Sequence, residues 1–219
     1  FFLALERLMP NFFTGKKQEA IKRSFSIEQI QLATKLIDEI LNSTHAELSS
    51  KRPEFSIYPI NSDEFFLVSN FKLGRVVGKH RYRVGINPKI FDLGIPPNAL
   101  KAIMAHELQH TEDYATGSFF GRIVPIGARL LIKKHRYRYE RQTDLKTVLK
   151  GYGEGLIAYK QWQYRLLTSE ALQTKKENYL TPEEISLIMD HLPAKEDLIK
   201  KALRGRAPKN LEEWDDYLN

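Results

Sequence analysis

Cysteine is absent from all 219 residues, which excludes disulfides, thiolate–metal sites and cysteine nucleophiles. Its absence suits an exported bacterial protein and many cytosolic ones alike, and of the compartments cell envelope or periplasm is slightly favoured over cytoplasm. Long apolar runs are also missing: none approaches the roughly 18 residues that a membrane-spanning helix needs. There is no internal repeat and no low-complexity segment. The opening Phe1–Phe2–Leu3–Ala4–Leu5 is too short for a signal peptide or an anchor. It reads as the start of an amphipathic helix ending near Pro10.

What is present is ordinary for a globular chain, with 42% hydrophobic and 28% charged residues. The length suffices to bury a core, and one domain spanning residues 1–219 is expected. The net charge of +7 is concentrated in Lys133-Lys134-His135-Arg136-Tyr137-Arg138-Tyr139-Glu140-Arg141. Such a run is either a solvated helix face or a surface for phosphate, anionic lipid or acidic substrate.

The hydrophobic pattern divides the chain. Residues 26–48 follow a helical period from a capping Ser26, so residues 1–50 supply N-terminal helices. Short β-rich runs follow within 54–87 (Phe55–Ile60, Glu64–Phe71 and His80–Asn87), which predicts a small, largely antiparallel sheet. Beyond Pro96-Pro97 everything reads as helix. Segments at about 98–114, 118–135, 137–150 and 154–168 fall within the metal-binding stretch 97–168. Shorter helices complete 169–219 from the start signal Thr181-Pro182-Glu183-Glu184. Gly151-Tyr152-Gly153-Glu154-Gly155 lacks the lysine and hydroxyl of a phosphate loop and reads as a tightly packed turn between helices. The fold class is α+β, mostly helical.

The chemistry lies in His106-Glu107-Leu108-Gln109-His110. Residues four apart on a helix share a face, so both imidazoles can reach one metal ion. Glu107 is then placed to take a proton from a water on that ion, as general base. A catalytic zinc has three protein ligands and one open position. His135 and Glu140 are the candidates for the third ligand, with Glu154 more remote. Glu140 is favoured because Asp144 follows one turn later, where it can accept a hydrogen bond from a ligand histidine. A group stabilising the developing oxyanion is also expected, from among His135, Tyr139, Tyr152 and His191.

The segment from Pro97 through His110, followed by Glu140-Arg141-Gln142-Thr143-Asp144, resembles gluzincin metallopeptidases. It is most similar to the HtpX/CAAX-protease superfamily and its soluble bacterial relatives. The resemblance implies a zincin-like fold and one Zn2+ per chain, held by His106, His110 and Glu140. It also implies Glu107 as base, Asp144 behind a ligand histidine, and a strand within Arg81–Asn87 that pairs with an extended peptide or protein substrate. The expected activity is zinc-dependent endopeptidase, working best near neutral pH.

Two other functions fit the same residues. One is a nucleic-acid-associated protein gripping phosphates with 133–141. The other is a zinc-binding chaperone or scaffold without turnover. The apolar, arginine-bearing stretch Ser118–Ile132 is either a buried helix or an interfacial element in peripheral contact with a membrane.

Overall fold

The computed structural model describes residues 25–61, 67–71, 80–116, 133–205 and 207–219. The opening apolar residues, the stretch 118–132 and the helix expected there lie outside them.

Helix α1 (Ile27–Thr44) starts on a reciprocal cap. The Ser26 hydroxyl accepts from the Gln29 amide, while the Gln29 side chain accepts from the Ser26 amide. Ala33, Ile37, Ile40 and Leu41 make its buried stripe. His45 leaves helical geometry (φ −119°, ψ 47°) and splits the single helix expected over 26–48 into α1 and a short α2 (Ala46–Ser49).

Three strands follow: β1 (Glu54–Pro59), β2 (Leu67–Phe71) and β3 (Arg81–Ile86). Their order is β1-β3-β2, so the strand last in sequence is central. It runs antiparallel to β2 but parallel to β1, with Glu54 opposite Arg81 and Pro59 opposite Ile86. The sheet is therefore mixed, where a largely antiparallel one was expected. Side-chain alternation selects the faces of a strand and is silent on the direction of its neighbour. Gly85 sits where any Cβ would lie 2.7 Å from the Ile60 side chain and 2.8 Å from the Tyr58 ring. A larger residue there would have to displace Ile60 or Tyr58.

After the short α3 (Lys89–Asp92) comes α4 (Pro97–Thr116). Ala99, Ala102, Met104, Ala105 and Leu108 are fully buried on it, and so are several polar side chains. One apolar cluster joins α4 to α1 and the sheet; a second joins Ala102 to the C-terminal helices. A helix covered on all sides has no solvent for its polar residues, so each of them must have a partner or a purpose.

The remaining elements are α5 (Lys133–Thr147), a π-helical turn (Val148–Tyr152), α6 (Gly153–Tyr164), α7 (Ser169–Asn178), α8 (Pro182–Arg204) and α9 (Leu211–Leu218). The glycine-rich turn packs as expected. Gly151 takes φ 88°, which glycine adopts without strain, and a Cβ on Gly155 would fall 2.5 Å from the Asn98 carbonyl oxygen on α4. The span labelled α8 is two helical stretches joined across a kink at Lys195 (φ −130°, ψ 30°), two residues after Pro193, in keeping with the shorter helices expected there. No described helix is long and apolar enough to cross a membrane.

Candidate metal centre

Helix α4 presents His106 and His110 one turn apart, and α5 brings Glu140 against both. His106 Nε2 lies 3.2 Å from His110 Nε2. Glu140 Oε2 lies 3.4 Å from the first and 3.3 Å from the second. The two histidines are buried and Glu140 is nearly so. Among the described residues, these three form the group able to hold a metal ion.

The orientation of each imidazole is set from behind. His106 Nδ1 stands 2.9 Å from Asp144 Oδ1, close in distance though off the straight N–H direction. Asp144 Oδ2 accepts from the Lys160 ammonium at 2.9 Å and from the Leu180 amide at 3.0 Å. His110 Nδ1 lies 3.4 Å from the Thr143 hydroxyl, which donates its own hydrogen to the Tyr139 carbonyl. The Thr143 lone pair therefore faces His110. With Nδ1 protonated against Asp144 and the Thr143 hydroxyl, each ring would turn an Nε2 lone pair inward once a bound cation displaced the proton there.

Two imidazole nitrogens and a carboxylate oxygen that has no hydrogen-bond partner thus converge in a buried space. Electrostatically this is a place for a cation. Burial disfavours charge on His106, yet Asp144 and Glu140 outweigh it and push its pKa up to about 10. Burial likewise opposes ionisation of Glu140, but His110 and His106 hold its carboxyl well below the usual range. Asp144 is lowered too: Lys160 and His106 overcome the burial. The donor set fits a divalent transition ion, because imidazole nitrogen with one carboxylate oxygen suits zinc or its neighbours and not calcium or magnesium.

No protein-family model, curated protein or solved structure matches this chain. The site is therefore read from its own geometry.

Glu107 is 7% exposed and lines a cavity beside the cluster together with His106, Tyr159, Lys160 and Tyr179. Its negative charge acts on His106, Tyr159 and Tyr179. The other expected residues divide. Tyr139 reaches the cluster by its ring, 5.0 Å from that of His110. The Tyr152 hydroxyl is instead engaged with Thr44 at 3.0 Å, tying the π-helical turn to α1. His191 Nδ1 lies 3.0 Å from the Leu187 carbonyl one turn back on α8, and Glu154 is exposed. Among the described residues no hydrogen bond or ion pair joins these three to the cluster. The side chain of His135 lies outside the described residues.

Sequence reasoning missed Tyr179, Lys160 and Arg141. Tyr179 caps α7, with its ring 6.1 Å from that of His106. Its position is fixed on both sides by α5. Arg141 donates to the Tyr179 carbonyl at 2.9 Å, and Asp144 receives the Leu180 amide. Arg141 also makes a buried two-pronged pair with Glu184, at 2.6 and 3.2 Å, and donates to the Pro208 carbonyl. A basic run read as surface thus contains a fully buried arginine. Its adjacency to Glu140 was the available signal, because the helix that turns Glu140 inward turns part of its neighbour's arc inward too.

The strand expected to receive substrate needs correction. Arg81–Ile86 is central, with β1 on one edge and β2 on the other, so its backbone groups are already engaged. The strand that borders the cavity is β2, through Leu67.

Proposed function

We propose that this chain is a zinc-dependent endopeptidase of the gluzincin kind, with His106, His110 and Glu140 holding the ion. The observation that carries the reading is the triangle of these donor atoms. Its edges are 3.2, 3.3 and 3.4 Å. A tetrahedral ion with ligand bonds of about 2.05 Å requires edges of about 3.3 Å, whereas an octahedral ion at that bond length requires about 2.9 Å. Three donors at that spacing would suit a zinc ion held by three side chains of the protein, as catalytic zinc is.

Bound there, zinc supplies an acidified water and a Lewis acid for the scissile carbonyl. The chain supplies the rest. Glu107 lies in the cavity wall one residue from a ligand, its carboxylate without an ion pair or hydrogen bond among the described residues, and takes the proton of the attacking water. Burial, followed by the charges of Glu140, Glu107 and Asp144, raises the Tyr179 hydroxyl well above its ordinary pKa, so it stays protonated. A neutral phenol facing the cavity is a donor for the carbonyl oxygen as that oxygen becomes negative. Tyr179 takes this role in place of Tyr152 and His191. Strand addition by an extended substrate would use the outer edge of β2, which pairs only with β3 among the described residues.

The nucleic-acid reading loses support from the basic run, because Arg141 is buried on Glu184 and Arg138 donates to the Gly205 carbonyl. The test separates a peptidase from a zinc scaffold. Glu107→Gln should retain one zinc per chain by elemental analysis while peptide hydrolysis falls by about 10²–10⁴-fold. Hydrolysis by the variant at the wild-type rate would remove Glu107 as base. A wild type that binds zinc and leaves every peptide in a proteome digest uncut would establish the scaffold.

A further inference from the structure

Lysine is among the residues least often buried, and a buried ammonium needs acceptors for three N–H bonds. The side chain of Lys160 is 6% exposed. Among the described residues it has one acceptor, Asp144 Oδ2 at 2.9 Å. Its other contact is the ring of Tyr179, whose centroid lies 5.1 Å away. Asp144 does not neutralise Lys160 alone, since the same carboxylate also serves the Leu180 amide and His106. Two N–H bonds of Lys160 are thus left in the wall of the cavity that holds Glu107 and His106.

A second buried ammonium lines the same cavity. Lys175, on α7, is 8% exposed, and its Nζ lies 4.9 Å from the same Tyr179 ring. Gln163 and Tyr164 add polar groups to this wall, and the Tyr164 hydroxyl is buried without a hydrogen-bond partner. The Gln163 amide donates to the Tyr159 hydroxyl at 3.0 Å, which leaves two cations and the Tyr164 hydroxyl beside a site where a peptide bond would lie, the chemistry of an anion pocket. A ligand carboxylate there would give Lys160 the acceptors that the fold withholds.

From this we infer that the cavity walled by Lys160, Lys175 and Tyr164 is a carboxylate subsite, which selects substrates carrying an acidic side chain or a free C-terminal carboxylate close to the cleaved bond. The inference deepens the peptidase reading and rests on it for the nature of the ligand. Lys160 has two duties, steadying Asp144 behind His106 and meeting the substrate. Lys175, on α7, does not touch Asp144 and lies against the Tyr179 ring.

Three tetrapeptides separate the sources of the carboxylate: acetyl-Ala-Ala-Glu-Ala-amide, acetyl-Ala-Ala-Gln-Ala as the free acid, and acetyl-Ala-Ala-Gln-Ala-amide. Their binding to the zinc-loaded Glu107→Gln variant is measured by calorimetry, and their cleavage by the wild type by mass spectrometry. At least one carboxylate-bearing peptide should bind about tenfold or more tighter than the neutral one, as a charge-assisted hydrogen bond allows. Adding Lys175→Gln should cut that advantage to below threefold while leaving the neutral peptide's affinity within about twofold. Lys160→Met should also cut the advantage if circular dichroism shows it folded and elemental analysis shows it zinc-loaded; if it is not both, Lys175→Gln decides alone. Equal binding of all three peptides, or an advantage that survives Lys175→Gln, overturns the subsite. Cleavage of all three at one rate would leave the peptidase standing without the subsite. Lysine-dependent carboxylate binding by a protein that cuts nothing would do the reverse.

Discussion

At the scale of the residue, the cluster separates groups that bind from groups that steady. Glu140 offers the oxygen that completes the triangle, so Glu140→Ala should abolish zinc binding as read by metal titration. Asp144 touches His106 only from behind, and Asp144→Asn should cost about 10–100-fold in zinc affinity, as losses behind a ligand do. Equal losses in the two variants would contradict this division of roles. Tyr179→Phe removes one hydroxyl and leaves the ring against His106. It should lower kcat by about 10²–10³-fold, with KM and zinc content nearly unchanged. Tyr139→Phe keeps the ring on His110 and should leave kcat within about threefold. If the two tyrosines exchange these results, the oxyanion assignment passes to Tyr139.

At the scale of the element, the site depends on how closely four helices approach. Asp113–Lys146 and Glu112–Lys150 pairs, at 2.7 and 2.5 Å, link α4 to α5 and the π-helical turn. They are partly exposed and contribute little each. The buried Arg141–Glu184 pair is a different case. Arg141→Met alone strands a carboxylate in the core, which costs about 3–5 kcal/mol, whereas Arg141→Met with Glu184→Leu should recover most of that. Urea unfolding measures both, and a double variant as unstable as the single one would show that the carbonyl contacts to Tyr179 and Pro208 dominate. Gly155→Val tests the approach of α6 to α4. With the Asn98 carbonyl oxygen 2.5 Å from the new Cβ, overpacking should destabilise by about 1–3 kcal/mol. It should also weaken zinc binding, because Lys160 moves with α6.

At the scale of the whole molecule, acid sensitivity follows from a histidine outside the site. His45 is fully buried at the α1–α2 junction. Its Nδ1 lies 3.0 Å from the Thr44 hydroxyl, and Nε2 has no partner. Burial, then the nearby Lys150 charge, depresses its pKa to about 3. The unfolded chain therefore takes up a proton near pH 6.5 that the folded chain refuses. Stability from this source is complete above that pH and is lost as pH falls from about 6.5 towards about 3, by up to roughly 4–5 kcal/mol. His45→Leu should flatten the dependence of the urea midpoint on pH between about 6.5 and 4. An unchanged slope would assign acid unfolding to other groups.

The sequence by itself determined the parts of this protein that depend on local spacing. A four-residue separation on a helix brings His106 and His110 to one face, and the same period places Asp144 behind Glu140. Caps at Ser26 and Thr181, and glycine at positions 151 and 155, are legible for the same reason: each is decided by residues within a turn or two. What only the tertiary structure decided lies across long intervals. The central place of β3, and hence the loss of its edge for substrate, depends on which strands meet, and alternation carries no record of that. Tyr179, Lys160 and Glu184 reach α5 from far along the chain, through contacts made by packing and not by period. Nothing local marks a tyrosine before Leu180 or a lysine after Tyr159 as lying beside the His106–His110–Glu140 cluster. Arg141 shows the limit most clearly. Its neighbours describe a charged surface, and only the docking of α8 against α5, with Glu184 in place, turns it into a buried one.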